Sequence, residues 1–195
     1  MKQAIRILGI DPALSNFGFA IADYDVLTGL LDVTHVEIAQ TQQSKNGKAV
    51  RKCSDDLARG RILVREMRRV IEVYKPTLAM GEVPPGCQSA RGAFSNGLTA
   101  GLLASLSIPL VEVSPNEVKL ASTGSRMASK DQMIQWAVSQ WPNVKWLTRK
   151  LHGQVVLTKD NEHMADACAA IKAGILTEQF AQAVAMMGAM SAAAA

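Results

Sequence analysis

Aromatic residues and cysteines are scarce in this sequence. Only 5% of its residues are Phe, Trp or Tyr, which argues against an aromatic-rich lectin. The three cysteines, Cys53, Cys87 and Cys168, are odd in number, lie far apart and form no CxxC pair. A disulfide framework and a zinc cage are therefore both disfavoured, and we expect a protein of the reducing cytoplasm.

The sequence also lacks a long apolar run and a secretion signal. Its longest uncharged span, residues 92–111, is interrupted by glycine, serine and proline, so it favours a buried helix followed by a strand over a membrane span. No small-residue cleavage site follows the N-terminus. With 195 residues, 48% of them hydrophobic, we expect one main domain at 1–176, followed by a C-terminal helix and low-complexity tail at 177–195.

Charge is unevenly distributed along the chain. The net charge is only +4, yet residues 45–69 hold nine basic and three acidic residues, and residues 119–159 hold seven basic and one acidic. The remainder of the chain is therefore acidic. This pattern suits a protein that binds a polyanion and holds carboxylates between its basic surfaces, although two ordinary solvated surfaces would give the same distribution.

The hydrophobic pattern predicts five strands and six helices. Short apolar or alternating segments predict strands at 4–10, 17–24, 31–38, 77–83 and 110–113. Helical spacing of apolar residues predicts helices that begin near 54, 90, 115, 130 and 161, and a last helix at 180–190. The polar stretches 40–52 and 143–159 are predicted to be exposed basic loops.

Cap signals support three of the predicted helix starts. Ser54, which two aspartates follow, is a favourable N-cap residue. Ser114 with Glu117, and Ser129 with Gln132, have the spacing of capping boxes, in which the two side chains satisfy backbone N–H groups at the helix start. We therefore expect the corresponding helices to begin at these positions.

The order of the elements predicts an α/β fold. Three consecutive strands joined by short turns form an antiparallel meander, and the helix after the third strand acts as a right-handed crossover. The fourth and fifth strands then run parallel to the first, in a mixed five-stranded sheet flanked by helices. If the first and fourth strands are neighbours, the residues at their carboxyl ends lie side by side.

Four residues of metal-ligand type are expected to meet at that edge of the sheet. Asp11 and Glu82 end the first and fourth strands, and His163 and Asp166 share one side of a later helix. Carboxylates at contact distance cannot all stay ionised without a cation, and oxygen ligands favour Mg²⁺ or Mn²⁺. The imidazole shifts that preference toward Mn²⁺. Two such ions about 4 Å apart would hydrolyse a phosphodiester without a Ser, Cys or His nucleophile.

Each of these residues also has an ordinary structural explanation. Asp11 and Glu82 are acceptable as strand ends, His163 as a first-turn helix residue, and Asp166 as the partner of a lysine. The convergence of all four at one predicted edge is what favours the metal site.

Five short motifs occur in a fixed order over residues 4 to about 176. They are Gly9-Ile10-Asp11-Pro12 with Asn16-Phe17-Gly18-Phe19-Ala20, then Gly81-Glu82, then Ser114-Pro115-Asn116-Glu117-Val118-Lys119, then Thr123-Gly124 with Ala128-Ser129-Lys130, and finally His163-Met164-Ala165-Asp166-Ala167. Together they resemble the RuvC family of Holliday junction resolvases, within the RNase H-like nuclease superfamily.

This resemblance implies a homodimer that binds a four-way DNA junction and introduces paired nicks with two Mg²⁺ or Mn²⁺ ions. Asp11, Glu82, His163 and Asp166 occupy the family's four metal-ligand positions. Lys130 matches a catalytic lysine near the scissile phosphate, where a fixed ammonium offsets developing negative charge. Residues 90–107 correspond to the family's dimer helix.

The chain departs from the family pattern at several places. His163 stands where many relatives have aspartate, which implies an altered metal preference. The loop 83–88 lacks the aromatic residue that relatives place at the junction centre, and Arg126 replaces a glycine of the loop before Lys130. The loop 40–52 and the tail after residue 176 have no obvious family counterpart.

Ten basic residues are candidates for contact with DNA phosphates. Such contacts make affinity fall with salt and carry little sequence information. The ten are Lys45, Lys48, Arg51, Lys52, Arg91, Lys119, Arg126, Lys145, Arg149 and Lys150.

Three alternatives to a junction resolvase stay open at this point. The first is a nuclease of the same fold that acts on flaps, forks or RNA-containing hybrids, and the missing aromatic residue favours it. The second is a DNA-binding protein that no longer cuts. The third is an actin-like or sugar-kinase ATPase, which is disfavoured because no second Gly-Asp phosphate loop appears and the chain is about half the length of such two-lobed folds.

Overall fold

The structure, a computed structural model, describes residues 4–44, 51–84 and 86–193. The strands in these ranges are β1 (Ala4–Asp11), β2 (Asn16–Asp25), β3 (Leu31–Gln40), β4 (Leu78–Glu82), β5 (Leu110–Val113), β6 (Thr148–Leu151) and β7 (Gln154–Leu157). The helices are α1 (Lys52–Tyr74), α2 (Ala90–Ala104), α3 (Pro115–Thr123), α4 (Lys130–Gln140), α5 (Asn161–Gly174) and α6 (Glu178–Ala193).

Five strands form one mixed sheet in the order β3-β2-β1-β4-β5. β1 pairs antiparallel with β2, and β2 with β3, whereas β1 pairs parallel with β4, and β4 with β5. This confirms the predicted meander and crossover. Ile10 lies opposite Gly81 in the parallel pair, so the next residues, Asp11 and Glu82, leave the sheet at the same edge.

Both faces of the sheet are covered because its strands alternate two sets of apolar side chains. Leu8 and Ile10 face one core, which α1 and α2 close with residues such as Leu63 and Leu102. Ile5 and Ile7 belong to the other core, which includes residues of α3, α4 and α5. The result is a helix–sheet–helix sandwich in which the edge of the sheet stays available for a site.

Two glycines let α5 lie very close to the sheet. A Cβ atom on Gly9 would come within 2.2 Å of the Ala167 carbonyl oxygen, and one on Gly18 within 2.1 Å of the His163 carbonyl oxygen. Any larger residue would push the helix away. These glycines of β1 and β2 therefore set the height at which α5 presents His163 beside the end of β1.

The predicted capping boxes are confirmed, but the predicted start of α1 is wrong. Ser114 and Ser129 both form reciprocal capping boxes, with Glu117 and Gln132 respectively. The first long helix begins at Lys52 rather than after Ser54, and Arg51 at its N-cap makes no side-chain cap bond. Local cap preference is weak here compared with the packing of the helix on the sheet.

The prediction that residues 143–159 form a loop is wrong. β6 and β7 pair antiparallel from Thr148–Leu157 to Leu151–Gln154. His152 and Gly153, the two residues between the strands, have positive φ angles of 48° and 81°. This is the backbone of a tight hairpin turn, and β-branched Val155 and Val156 favour the strand that follows it.

The chain continues past α5 into α6, which packs on the sheet through Phe180. This ring is buried, and its centroid lies 5.1 Å from that of Tyr24 in an edge-to-face arrangement. Over the described part of the chain, no helix combines the length and apolar character that crossing a membrane requires.

Candidate active site

The candidate site lies at the edge of the sheet where β1 and β4 end. Asp11 is the last residue of β1 and Glu82 the last residue of β4. The following proline cannot donate a ladder hydrogen bond, so the chain leaves the sheet directly after Asp11. Parallel pairing thus brings two carboxylates that are distant in sequence to one edge.

Helix α5 adds two further groups from above this edge. His163 Nδ1 and Asp11 Oδ2 are 2.7 Å apart and share a hydrogen bond. Both side chains are largely buried, with 20% and 15% of their surfaces exposed. Asp166 lies three residues further along the helix, on the same side as His163. The structure therefore joins Asp11 and His163 directly, and it places Asp166 near enough for their charges to affect its pKa.

The carboxylates of this edge are held in an environment that disfavours their charged forms. Burial, together with repulsion from Asp11, raises the pKa of Glu82 to about 7. Burial and repulsion from Asp11, Glu82 and Glu162 raise the pKa of Asp166 to about 8. Burial also raises the pKa of Asp11, against the opposing effect of its bond to His163. The site thus has a deficit of positive charge.

His163 is affected in the opposite sense. Burial disfavours its protonated form, but the hydrogen bond and the attraction to Asp11 outweigh this effect and raise its pKa. A protonated His163 supplies part of the missing positive charge. In the structure, His163 is therefore a hydrogen-bonding partner of Asp11.

The donor set of this edge fits a hard divalent cation. It comprises three carboxylates and one imidazole, and the mutual repulsion of the carboxylates is the kind that a cation relieves. Among the described residues, however, no three His, Cys, Asp or Glu side chains are grouped as ligands of one ion. The four side chains are near enough to influence one another's charge, and Asp11 and His163 are bonded to each other.

Lys130, the predicted catalytic lysine, is the first residue of α4. Its Nζ lies 2.6 Å from Glu162 Oε1, and the lysine side chain is 77% exposed whereas that of Glu162 is 16% exposed. This ion pair raises the pKa of Lys130, to which the charges of Asp166 and Asp11 also contribute. The ammonium therefore lies at the border of the carboxylate cluster.

The predicted DNA-binding residues are spread around the molecule. Lys45 and Lys48 lie outside the described residues. Arg51 and Lys52 are exposed at the start of α1, Arg126 is exposed between α3 and α4, and Lys145 is exposed before β6. Arg149 and Lys150 are on β6. Lys119, on α3, lowers the pKa of Glu82 and so acts at the site. Contact of these residues with DNA stays a prediction.

Arg91, the remaining candidate, has a protein partner. Both of its terminal nitrogens donate to the carboxylate of Asp56, from Nη1 to Oδ2 and from Nη2 to Oδ1, the latter at 2.8 Å. Asp56 is completely buried and also accepts from Arg59 at 3.3 Å. Arg91 thus joins the start of α2 to α1, and its predicted role in DNA binding stays untested.

The sequence did not predict that Asp56 and Arg59 form one buried hydrogen-bond network. Arg59 donates to Thr41 at 2.9 Å and to Ser15 at 2.7 Å, so it ties α1 to the loop after β1 and to the end of β3. A signal was present, because Asp56 and Arg59 occupy the same helical stripe as buried Leu63 and Met67. Glu162 was also missed, although it stands beside His163.

The chain has relatives among proteins of known function. No model of a known protein family matches the chain. The chain is 28% identical over 135 residues to the crossover junction endodeoxyribonuclease RuvC of Synechococcus sp. (strain CC9605), covering 67% of this chain and 80% of that protein. It is 28% identical over 180 residues to RuvC of Rickettsia rickettsii (strain Sheila Smith), covering 89% and 99%.

Solved structures share the fold. T. thermophilus RuvC, solved in complex with a Holliday junction substrate, matches with a TM-score of 0.61 at 18% identity, over 87% of this chain and 92% of that one. The yeast mitochondrial Holliday junction resolvase matches with a TM-score of 0.55 at 16% identity, over 88% and 78%. This confirms the predicted RNase H-like sheet. The chain is thus similar in sequence to RuvC proteins over most of its length, and it shares their fold.

Proposed function

We propose that this protein is a metal-dependent endonuclease that resolves four-way DNA junctions by paired nicks. The observation that carries the proposal is the buried carboxylate cluster of Asp11, Glu82 and Asp166 at one edge of an RNase H-like sheet, with its deficit of positive charge. The names of the relatives, crossover junction endodeoxyribonucleases, agree with this chemistry.

Asp11, Glu82, His163 and Asp166 would hold the divalent ions, which are two Mg²⁺ or Mn²⁺ ions in the proposal. When bound, these ions supply a deprotonated water and charge stabilisation for phosphodiester hydrolysis. The nitrogen of His163 makes Mn²⁺ a good occupant. His163 bonds to Asp11 through Nδ1, so the Nε2 atom of the neutral imidazole would be the nitrogen that serves as a ligand.

The remaining residues of the site bind and orient the DNA. Lys130 places a cation beside the cluster, where it offsets the negative charge that develops on the phosphate. The N-terminus of α5 points into the same region, and its partial positive charge favours a phosphate. The buried position of the carboxylates limits the water around them, which strengthens these electrostatic effects.

Paired nicks in opposed strands need two active sites, so the proposal includes a homodimer. Helix α2 is the candidate contact, because the small residues Ala93, Gly97 and Gly101 are exposed on it and would permit close helix approach. DNA lying across such a dimer would reach both sheet edges.

The loop after Glu82 favours a second candidate, a nuclease for forks, flaps or hybrids. Residues 83–88 contain no aromatic residue to stack on bases. The loop also folds back on α2, since a Cβ on Gly92 would lie 2.1 Å from Cys87 Sγ. Junction opening by a stacking side chain from this loop is therefore not available to this chain.

The test is cleavage of labelled four-way junction, fork and linear duplex in Mg²⁺ and in Mn²⁺. We expect symmetric paired nicks in the junction, and a fall of about a thousandfold in Asp166→Asn, which corresponds to about 4 kcal/mol of lost transition-state stabilisation. The exposed acid of β3 provides the control, as Asp32→Asn, and should cut normally.

Other results would replace the proposal. Faster cutting of forks than of junctions would assign the second candidate function. Tight junction binding without cutting in either metal would leave a DNA-binding protein that has lost catalysis.

A further inference from the structure

A groove runs from the candidate active site along α4 to the β6–β7 hairpin. Two adjoining cavities form it, of about 300 Å³ and about 410 Å³. Both are lined by Asp131, Ile134 and Lys159, so they are continuous. The smaller cavity reaches Lys130, and the larger one follows β7 back to Val155.

The far wall of this groove is fixed relative to the site by Asn161. This side chain is completely buried. Its Oδ1 accepts from the Leu147 backbone N–H at 2.9 Å, and its Nδ2 donates to the carbonyl oxygens of Leu147 and Thr158 at 2.8 and 2.9 Å. Asn161 thus ties both ends of the hairpin to the first turn of α5, two residues before His163. The base of the hairpin is thus attached to the helix that carries the candidate ligands.

The charge of the groove suits a polyanion. Residues 143–159 contain four basic residues and no acidic one. Lys150 lies opposite Val155, which lines the groove, so Lys150 shares that face of the hairpin. Within the part of the chain that the structure describes, neither Lys150 nor Lys159 has an ion-pair partner.

Two acidic residues line the groove, and neither closes it to an anion. Glu162 is paired with the ammonium of Lys130. Asp131 is exposed, in the first turn of α4. Lys130 and Lys159 balance these two acids, and Lys150 on the adjoining hairpin adds a positive charge beside the groove.

The wall opposite the helix also offers apolar contact. Val155 is an apolar residue with 68% of its surface exposed, and it lines the same cavity as Ile134. Charged and apolar surface side by side is what a nucleic-acid strand requires, because its phosphates seek cations and its sugars and bases seek apolar contact.

We propose that this groove binds the DNA strand on one side of the phosphate that is cut, with Lys159 and Lys150 in contact with its backbone. The proposal rests on the proposed function, since a strand held at Lys130 enters the groove as it leaves the site. It adds a strand-binding surface that includes Lys159 and Val155 and that Asn161 keeps in register with the ligands on α5.

The first test measures junction affinity of Lys150→Gln/Lys159→Gln over a range of salt concentrations. Both side chains are exposed on strand β6 and before α5, so the fold is retained. We expect the Kd to rise about tenfold and the slope of log K against log salt to fall by about two, one for each lost phosphate contact. Lys172→Gln, at the far end of α5, is the matched control and should bind as the wild type does.

The second test places a charge in the groove itself. Val155→Glu should weaken junction binding by about tenfold, whereas Val155→Thr, of similar shape and no charge, should bind almost normally. Equal affinity of the two variants would show that the strand passes elsewhere.

The outcomes separate the two proposals. Unchanged Kd and salt slope in the lysine variant would overturn the groove, whether or not the wild type cuts. A wild type that binds junction but does not cut would overturn the proposed nuclease, while the affinity measurements still decide on the groove. A wild type without affinity for any DNA would overturn both.

Discussion

Carboxylates are buried in two places in the molecule, and their pKa values are shifted in opposite directions. Asp56, between α1 and α2, is completely buried and is bonded to Arg59 and Arg91. Its pKa is lowered, chiefly by the hydrogen bond to Arg91, against the effect of burial. At the sheet edge, burial dominates and raises the pKa of Glu82 to about 7 and that of Asp166 to about 8.

The difference shows which cluster serves stability and which serves function. The charge of Asp56 is balanced by two guanidinium groups, so it requires no further cation. Together with Arg59 and Arg91 it holds α1, α2 and the loop after β1 together. A group of acids without matching cations lowers the stability of the fold, and such a group is typical of sites that bind a cation or a substrate. Three changes to the chain distinguish the two clusters.

The largest effect on stability is expected from Asp56→Asn. This change leaves Arg59 buried without its ionic partner, and loss of one partner of a buried ion pair costs about 3–5 kcal/mol. Because the pKa of Asp56 is lowered by folding, its contribution is present above about pH 4 and is lost as the pH falls through the lowered value. Urea unfolding at neutral pH measures it. Glu72→Gln, an exposed acid of the same helix, should leave stability within about 0.5 kcal/mol. A loss in Asp56→Asn no larger than this would mean that the arginines do not depend on Asp56.

In metal-free protein at pH 8, Asp166→Asn should raise the free energy of unfolding, whereas Asp56→Asn lowers it. The pKa of Asp166 is raised to about 8 by folding, against about 4 in an unfolded chain. Its contribution to stability is therefore present below about pH 4 and is lost as the pH rises to about 8.

In chelator, the Tm of the wild type should fall between pH 5 and 8, and that of Asp166→Asn should fall less. A difference of 1 kcal/mol corresponds to about 2–4 °C at this chain length. Mg²⁺ or Mn²⁺ should raise the wild-type Tm more at pH 8 than at pH 6, and should raise that of the variant less. Identical pH profiles for the two proteins would contradict the charge deficit at the sheet edge.

The smallest effect on stability, but a clear one on cutting, is expected from Glu162→Gln. Its partner Lys130 is 77% exposed, so the ion pair contributes at most about 1 kcal/mol. Loss of the carboxylate frees the ammonium to leave the border of the cluster, and we expect kcat on junction DNA to fall about tenfold. Glu162→Gln combined with Lys130→Met should be no slower than Lys130→Met alone. Additive losses would show that the two residues act separately.

Much of the fold could be predicted from the sequence because its signals are local. The apolar runs of β1 and β2, and the two capping boxes, depend on residues within a few positions of one another. The meander and the crossover followed from the lengths of the connections, whereas the pairing of β1 with β4 was only a condition of the prediction. The convergence of the strand ends and the motifs pointed to Asp11, Glu82, His163 and Asp166. Their joint action as ligands stays a prediction.

Other features depend on residues that meet only in the folded chain. Asp56 at the start of α1 was interpreted as a helix-start acid, yet its role comes from Arg91, 35 positions away. The hairpin could not be predicted because its strands are short and exposed, and because the residue that anchors it, Asn161, lies outside the hairpin on α5.

The sequence by itself determined the helices, the five strands of the main sheet and the acids available at the sheet edge, since hydrophobic periodicity and turn chemistry act over short distances. The tertiary structure alone decided which of the buried acids received cations. The pKa of a carboxylate depends on the charges and the water within a few ångströms of it, and those neighbours come from all parts of the chain.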